Sequence, residues 1–85
     1  MVRVLEVQFD APSHLRLQFS DGFIGIVDIG HMIRNGGVFR ALQDPAFAQQ
    51  VRVGMNGWSV EWPGEIDLGA ESLRASAVAV QRKAS

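Results

Sequence analysis

Apolar and polar residues alternate along much of the first thirty positions. "VRVLEVQF" (2–9) is rich in β-branched and aromatic residues and predicts a strand, which "DAPS" (10–13) breaks. "HLRLQF" (14–19) sets Leu15, Leu17 and Phe19 on one face and Arg16 and Gln18 on the other, the period of a half-buried strand. "FIGIVDI" (23–29) is the return strand. Between them stands Asp21-Gly22, a dipeptide suited to a two-residue type I′ turn, because both central positions of that turn need positive φ. With that loop, Phe19 pairs Ile24, Leu17 faces Ile26 and Leu15 faces Asp28. Leu15, Leu17, Phe19, Ile24 and Ile26 then share one apolar face. The opposite face mixes Arg16 and Gln18 with Phe23 and Val27 and is expected to be half covered.

The second half carries weaker signals and one strong one. "GHMIRNGG" (30–37) reads as irregular, since "NGG" stops a helix. "VFRAL" (38–42) predicts a short helix with Phe39 and Leu42 inward, "QDP" breaks it, "AFAQQ" is a single helical turn and "VRV" (51–53) starts another strand. Asn56-Gly57 is the strong signal, the dipeptide most favoured in a type I′ hairpin. It pairs Met55 with Trp58, Val53 with Val60, Arg52 with Glu61 and Val51 with Trp62. Trp58, Val60 and Trp62 then face one way with Met55, Val53 and Val51. Ser59 and Glu61 face the other way with Arg52 and Gly54. "PGEID" (63–67) leaves the sheet. "AESLRASAVAVQR" (70–82) predicts a helix with acids early and bases late, Gly69 as N-cap, and Leu73, Ala77 and Val80 at helical spacing. The order is β-β-β-α-β-β-α. It predicts one α+β domain over residues 1–85, an antiparallel sheet of about five strands with helices on one face.

Composition narrows the class. At 85 residues the chain gains little core, and small domains lean on disulfides, metals or association. It has no cysteine, so disulfides and thiolate metal sites are excluded, which suits a reducing compartment. The formal charge of −1 supplies no broad basic field for nucleic acid, and the only basic cluster is Arg82-Lys83. The N-terminus lacks the pattern of a signal peptide, and no apolar run is long enough to span a membrane. A cytoplasmic protein is expected, with a protein partner or a second copy as the remaining staple, no membrane and no direct nucleic-acid contact.

Several residues are chemically suggestive. Trp58 and Trp62 form either an aromatic platform or core, and Trp58, beside the turn, is the one expected at the rim. Glu61 is the cross-strand partner of Arg52. Asp67, between strand and helix, is placed to accept backbone N–H groups from the turn or the helix start. Asp28 and His31, three apart, meet if the chain turns helical there, in a hydrogen bond rather than a metal site. Two histidines without H-x-H spacing or cysteines are a poor metal set. "NGGVF" (35–39) lacks the glycine pattern and lysine of a phosphate cradle. No nucleophile–base set emerges, so no catalytic, cofactor or metal residue is assigned. Trp58, Asp67, Asp28, His31, Phe23 and Val27 are the candidate ligand or interface residues.

In order and spacing the chain resembles a small bacterial family of unknown function. That family runs L-x-L-x-F-x-D-G, then D-hydrophobic, then F-x-x-L-x-D-x-x-x-F, and closes on W-x-x-G-x-D-L before a helix. The matching stretches are "LRLQFSDG" (15–22), "VDI" (27–29), "FRALQDPAF" (39–47) and "WPGEIDLGAESL" (62–73). The resemblance implies the same β3-α-β2-α arrangement. It also implies a domain that precedes a DNA-binding helix-turn-helix in some relatives and stands alone in others, in gene neighbourhoods like those of toxin–antitoxin pairs. Two functions follow as expectations: a non-enzymatic protein-interaction module of antitoxin-like type, or a small-molecule-sensing domain without its DNA-binding part.

Overall fold

A computed structural model describes residues 1–80; the predicted helix end at 81–82 and the Arg82-Lys83 cluster lie outside the described residues. Strands β1 (Val4–Asp10), β2 (His14–Phe19) and β3 (Ile24–Asp28) form an antiparallel meander. A bulge at Leu5 shifts the β1 register, so that Val4 pairs Phe19 while Val7 pairs Leu17 and Phe9 pairs Leu15. Val4 and Phe9, an odd number of residues apart, thus both reach the core.

The β2–β3 register differs by one residue from the sequence expectation. Gln18 pairs Ile24, Leu17 pairs Gly25 and Leu15 pairs Val27. The loop is Ser20-Asp21-Gly22, closed by Phe19 N–H to Phe23 O at 2.9 Å and Gly22 N–H to Phe19 O at 3.0 Å. Gly22 takes φ 89°, as the last residue of a three-residue hairpin loop requires. Asp21 braces the turn by accepting the Phe23 N–H at 3.1 Å. Because side chains alternate, the one-residue change exchanges the faces of β3. Val27 lies in the core and Phe23 is half-buried on that side, so neither belongs to an outer face as expected. Ile24 and Ile26 point outward instead.

The region read as irregular contains helix α1 (Gly30–Asn35), with Ile29 and Ile33 in the core. A 3-10 segment (Gly37–Gln43) buries Leu42, and helix α2 (Pro45–Ala48) starts from an Asp44 cap whose carboxylate accepts the Ala46 N–H at 3.0 Å. Asp-Pro is a legible start signal, with proline at the first helical position where no N–H is needed.

The second hairpin matches its expected register. Strands β4 (Arg52–Val53) and β5 (Ser59–Trp62) pair Arg52 with Glu61 and Val53 with Val60. Asn56 at φ 54° and Gly57 at φ 80° make the type I′ turn, with Trp58 N–H donating to Met55 O at 3.1 Å. The segment expected to leave the sheet returns as strand β6 (Ile66–Gly69), pairing Trp62 with Ile66 and Glu61 with Asp67. Helix α3 (Ala70–Ser76) follows and is shorter than expected. The chain then extends into β7 (Val78–Ala79), which pairs Ile26 with Val78 on the edge of β3.

Two antiparallel sheets result in place of one, ordered β1-β2-β3-β7 and β4-β5-β6. They share one core. Leu15, Leu17, Phe19 and Val4 meet Val60, Trp62 and Ile66, with Leu73 and Ala70 of α3 and Leu42 and Ala48 closing the rest. Each fully buried Leu or Phe of this set contributes about 1.5–3 kcal/mol of transfer free energy. The indole N–H of Trp62 donates to Ala48 O at 2.8 Å, so the largest core side chain is also satisfied. The first strand joins the halves: β1 packs against β4 and β5, and Gly57 abuts the Val4 carbonyl.

Candidate functional site

The end of β3 gathers the polar residues that the sequence singled out. Asp28 is the last residue of the strand, directly across from His14 on β2. Its Oδ1 accepts the Gly30 N–H at 2.8 Å and the Ser13 hydroxyl at 3.0 Å. The first bond is an Asx-type turn that directs the chain into α1. Oδ2 faces His14 Nε2 at 3.8 Å. The Gly30 N–H, and after it the Ser13 hydroxyl, hold the Asp28 carboxyl below the usual carboxylate range; His14 and Arg34 add to this by charge.

His31 lies in the first turn of α1, exposed, on the same cleft as Asp28. The expected Asp28–His31 hydrogen bond is replaced by the contacts to Gly30, Ser13 and His14. The sequence missed His14 and Ser13 as partners because the one-residue register error set Leu15 across from Asp28. The cleft has a volume of about 460 Å³. Its polar end is His14, Asp28 and His31; its apolar walls include Ile26, Met32, Val78 and Val80. It exists because β7 is two residues long while β3 is five, which leaves the Val27–Asp28 end of the β3 edge uncovered. Among the described residues, no three His, Asp or Glu side chains converge as a metal set.

Trp58, Asp67 and Phe23 do not line this cleft. Trp58 sits at the hairpin turn, 45% exposed, with the Arg3 guanidinium 5.4 Å from its ring centroid. Trp62 is core, so the two indoles form no platform. Asp67 lies on the exposed face of β6, across from Glu61, whose Oε1 pairs with Arg52 Nη2 at 3.0 Å as expected. Asp67 does not receive the helix-start N–H: the Ala70 N–H donates to Trp58 O at 2.8 Å, extending the β5–β6 ladder into α3. Phe23 lies under Arg74, and Val27 contributes to the cleft floor from within the core.

These features define a small α+β protein with two antiparallel sheets and an open cleft at a sheet edge. The chain belongs to the family of proteins of unknown function DUF2442, whose family model matches residues 4–79. None of the curated proteins matches it. Among solved structures, that of a "Putative DNA Binding Protein" from Nitrosomonas europaea is similar, with a TM-score of 0.78 and 28% identity over 91% of this chain and 49% of that one. The chain therefore spans about half the length of that neighbour. Among the described residues no helix is long and apolar enough to cross a membrane.

Proposed function

We propose that the chain is a non-enzymatic interaction module whose contact surface is the outer face of the four-stranded sheet where β3 meets β7. One observation carries this reading. Ile24, Val78 and Val80 are 45%, 67% and 37% exposed, and they lie together with half-buried Ile26 in one apolar strip. Pairing brings them side by side: Ile26 opposes Val78, and the Val80 N–H donates to Ile24 O at 3.1 Å. Contiguous exposed apolar surface of this kind marks contact sites in small proteins. Gln8, Arg16 and Gln18 on the same face supply a polar rim.

The DNA-binding description of the longer Nitrosomonas protein favours a module that works with a separate unit. With a net charge of −1, nucleic-acid contact is assigned to the partner rather than to this chain. An antitoxin-like role in a gene pair is one form of such a partnership. Co-expression with the product of the adjacent gene tests it. A co-eluting complex lost in Ile24→Lys and Val78→Lys is expected; separate elution at micromolar concentration overturns it.

The cleft favours a second reading, a ligand-sensing domain. Its site is Asp28 with His14 and His31.

A further inference from the structure

We propose that the cleft at the end of β3 binds a small amphiphilic cation, a molecule with an ammonium or guanidinium head on an apolar body. The inference rests on the sensing reading and names its ligand class. The volume of about 460 Å³ suits a ring or a short chain with one polar group. The two oxygens of Asp28 are used unequally. Oδ1 is filled by the Gly30 N–H and the Ser13 hydroxyl, whereas among the described residues Oδ2 meets only His14 Nε2 at 3.8 Å, beyond hydrogen-bond reach. The side chain is 64% exposed, so a donor entering from solvent reaches Oδ2.

Bonds to Oδ1 fix the carboxylate in one orientation, which reduces the ordering cost of binding. The apolar walls of Ile26, Met32, Val78 and Val80 take the body of the ligand. Arg34 stands on the Oδ1 side, across Gly30, and does not line the cleft. An anionic head would face Asp28 directly, and a neutral head forfeits the charge-assisted bond. Val78 and Val80 belong both to this cleft and to the apolar strip, so ligand occupancy and partner docking act on the same strand.

The test is an amide-resolved NMR titration of the full chain with phenethylamine, 2-phenylethanol and 3-phenylpropionate. Phenethylamine is expected to shift amides of residues 26–32 and 78–80 saturably, and to bind about tenfold more tightly than the alcohol. Asp28→Asn, which keeps the Oδ1 acceptor, is expected to remove that advantage. Val78→Lys, at an exposed position, is expected to abolish binding while leaving the remaining spectrum folded. An amine that binds no better than the alcohol overturns the proposal, as does binding unchanged in both variants. If the alcohol or the acid binds here and the amine does not, the cation inference fails and the sensing reading stands. If none of the three moves these amides at millimolar concentration, both fail.

Discussion

The guanidinium carbon of Arg74 lies 3.7 Å from the centroid of the Phe23 ring. Its Nε donates to Asp21 Oδ2 at 3.0 Å, so one side chain of α3 clamps the middle of the β2–β3 turn and the residue that follows it. The stack also covers the half-buried face of Phe23 above Phe19. Replacing Arg74 with Ala is expected to cost about 1 kcal/mol, the combined scale of a partly exposed cation–π contact and a surface ion pair. Lys is expected to recover less than half, because it lacks the planar fork. Urea denaturation of the two variants measures this; equal stability of Arg74→Ala and the parent would dismiss the clamp.

Gly57 carries two constraints at once. Its φ is 80°, and a Cβ there would run into the Val4 carbonyl. Gly57→Ala is therefore expected to destabilise by about 2 kcal/mol or more, the strain scale of a forced left-handed residue with a clash added. Asn56→Gly, which preserves the turn, should change stability by only a few tenths, about 0.5 kcal/mol at most. Thermal unfolding of both variants separates turn geometry from loop composition.

The two tryptophans are expected to report different environments. In Trp58→Phe the remaining indole, Trp62, should emit at short wavelength and resist iodide quenching. In Trp62→Phe the remaining Trp58 should emit red-shifted and quench readily. Trp62→Phe also removes the shorter of two hydrogen bonds to the Ala48 carbonyl, which keeps the Val51 N–H at 3.3 Å, at an expected cost of about 1 kcal/mol for that bond. Matching emission maxima in the two variants would contradict the split between core and rim.

Acid stability follows from Asp21 and Asp28. The Phe23 N–H is the largest cause that lowers the Asp21 carboxyl, with Arg74 behind it, and the Gly30 N–H is the largest for Asp28. Both folded values lie below the unfolded value of about 3.9. The stabilisation is therefore complete above that pH and is lost as pH falls through the folded values. Asp21→Asn and Asp28→Asn should start below the parent in urea midpoint at neutral pH and converge with it as pH falls through the lowered folded values. A constant offset across the acid range would show that the carboxylate charges are not responsible.

Legibility in the sequence followed how many cues agreed. At the second hairpin, Asn56-Gly57 and the alternation through Val60, Glu61 and Trp62 enforce one register, and Arg52–Glu61 appears where it was expected. At the first hairpin, Asp21-Gly22 suits both a two-residue and a three-residue loop. "FIGIVDI" is apolar on both parities, so burial could not choose between them. The choice fell to Asp21 accepting the Phe23 N–H and to Arg74, from a helix far along the chain. The same limit hid β6 and β7: "IDLG" and "VA" are too short to show a period, and β7 exists because the β3 edge offers it hydrogen bonds. Of the candidate site, Asp28 and His31 were legible as neighbours, whereas His14 and the apolar walls needed the true register. The resemblance supplied the family but not the strand faces.

The contact of β1 with the tip of the second hairpin also constrains how the molecule is made. Val4 leaves the ribosome well before Gly57, which lies far along the chain and seats against its carbonyl. Until then the first meander presents Leu15, Leu17 and Phe19 to water with no second sheet to receive them. Translation therefore leaves a waiting interval in which the nascent chain is greasy on one side, and closure comes late, when the second hairpin docks and both halves lock together.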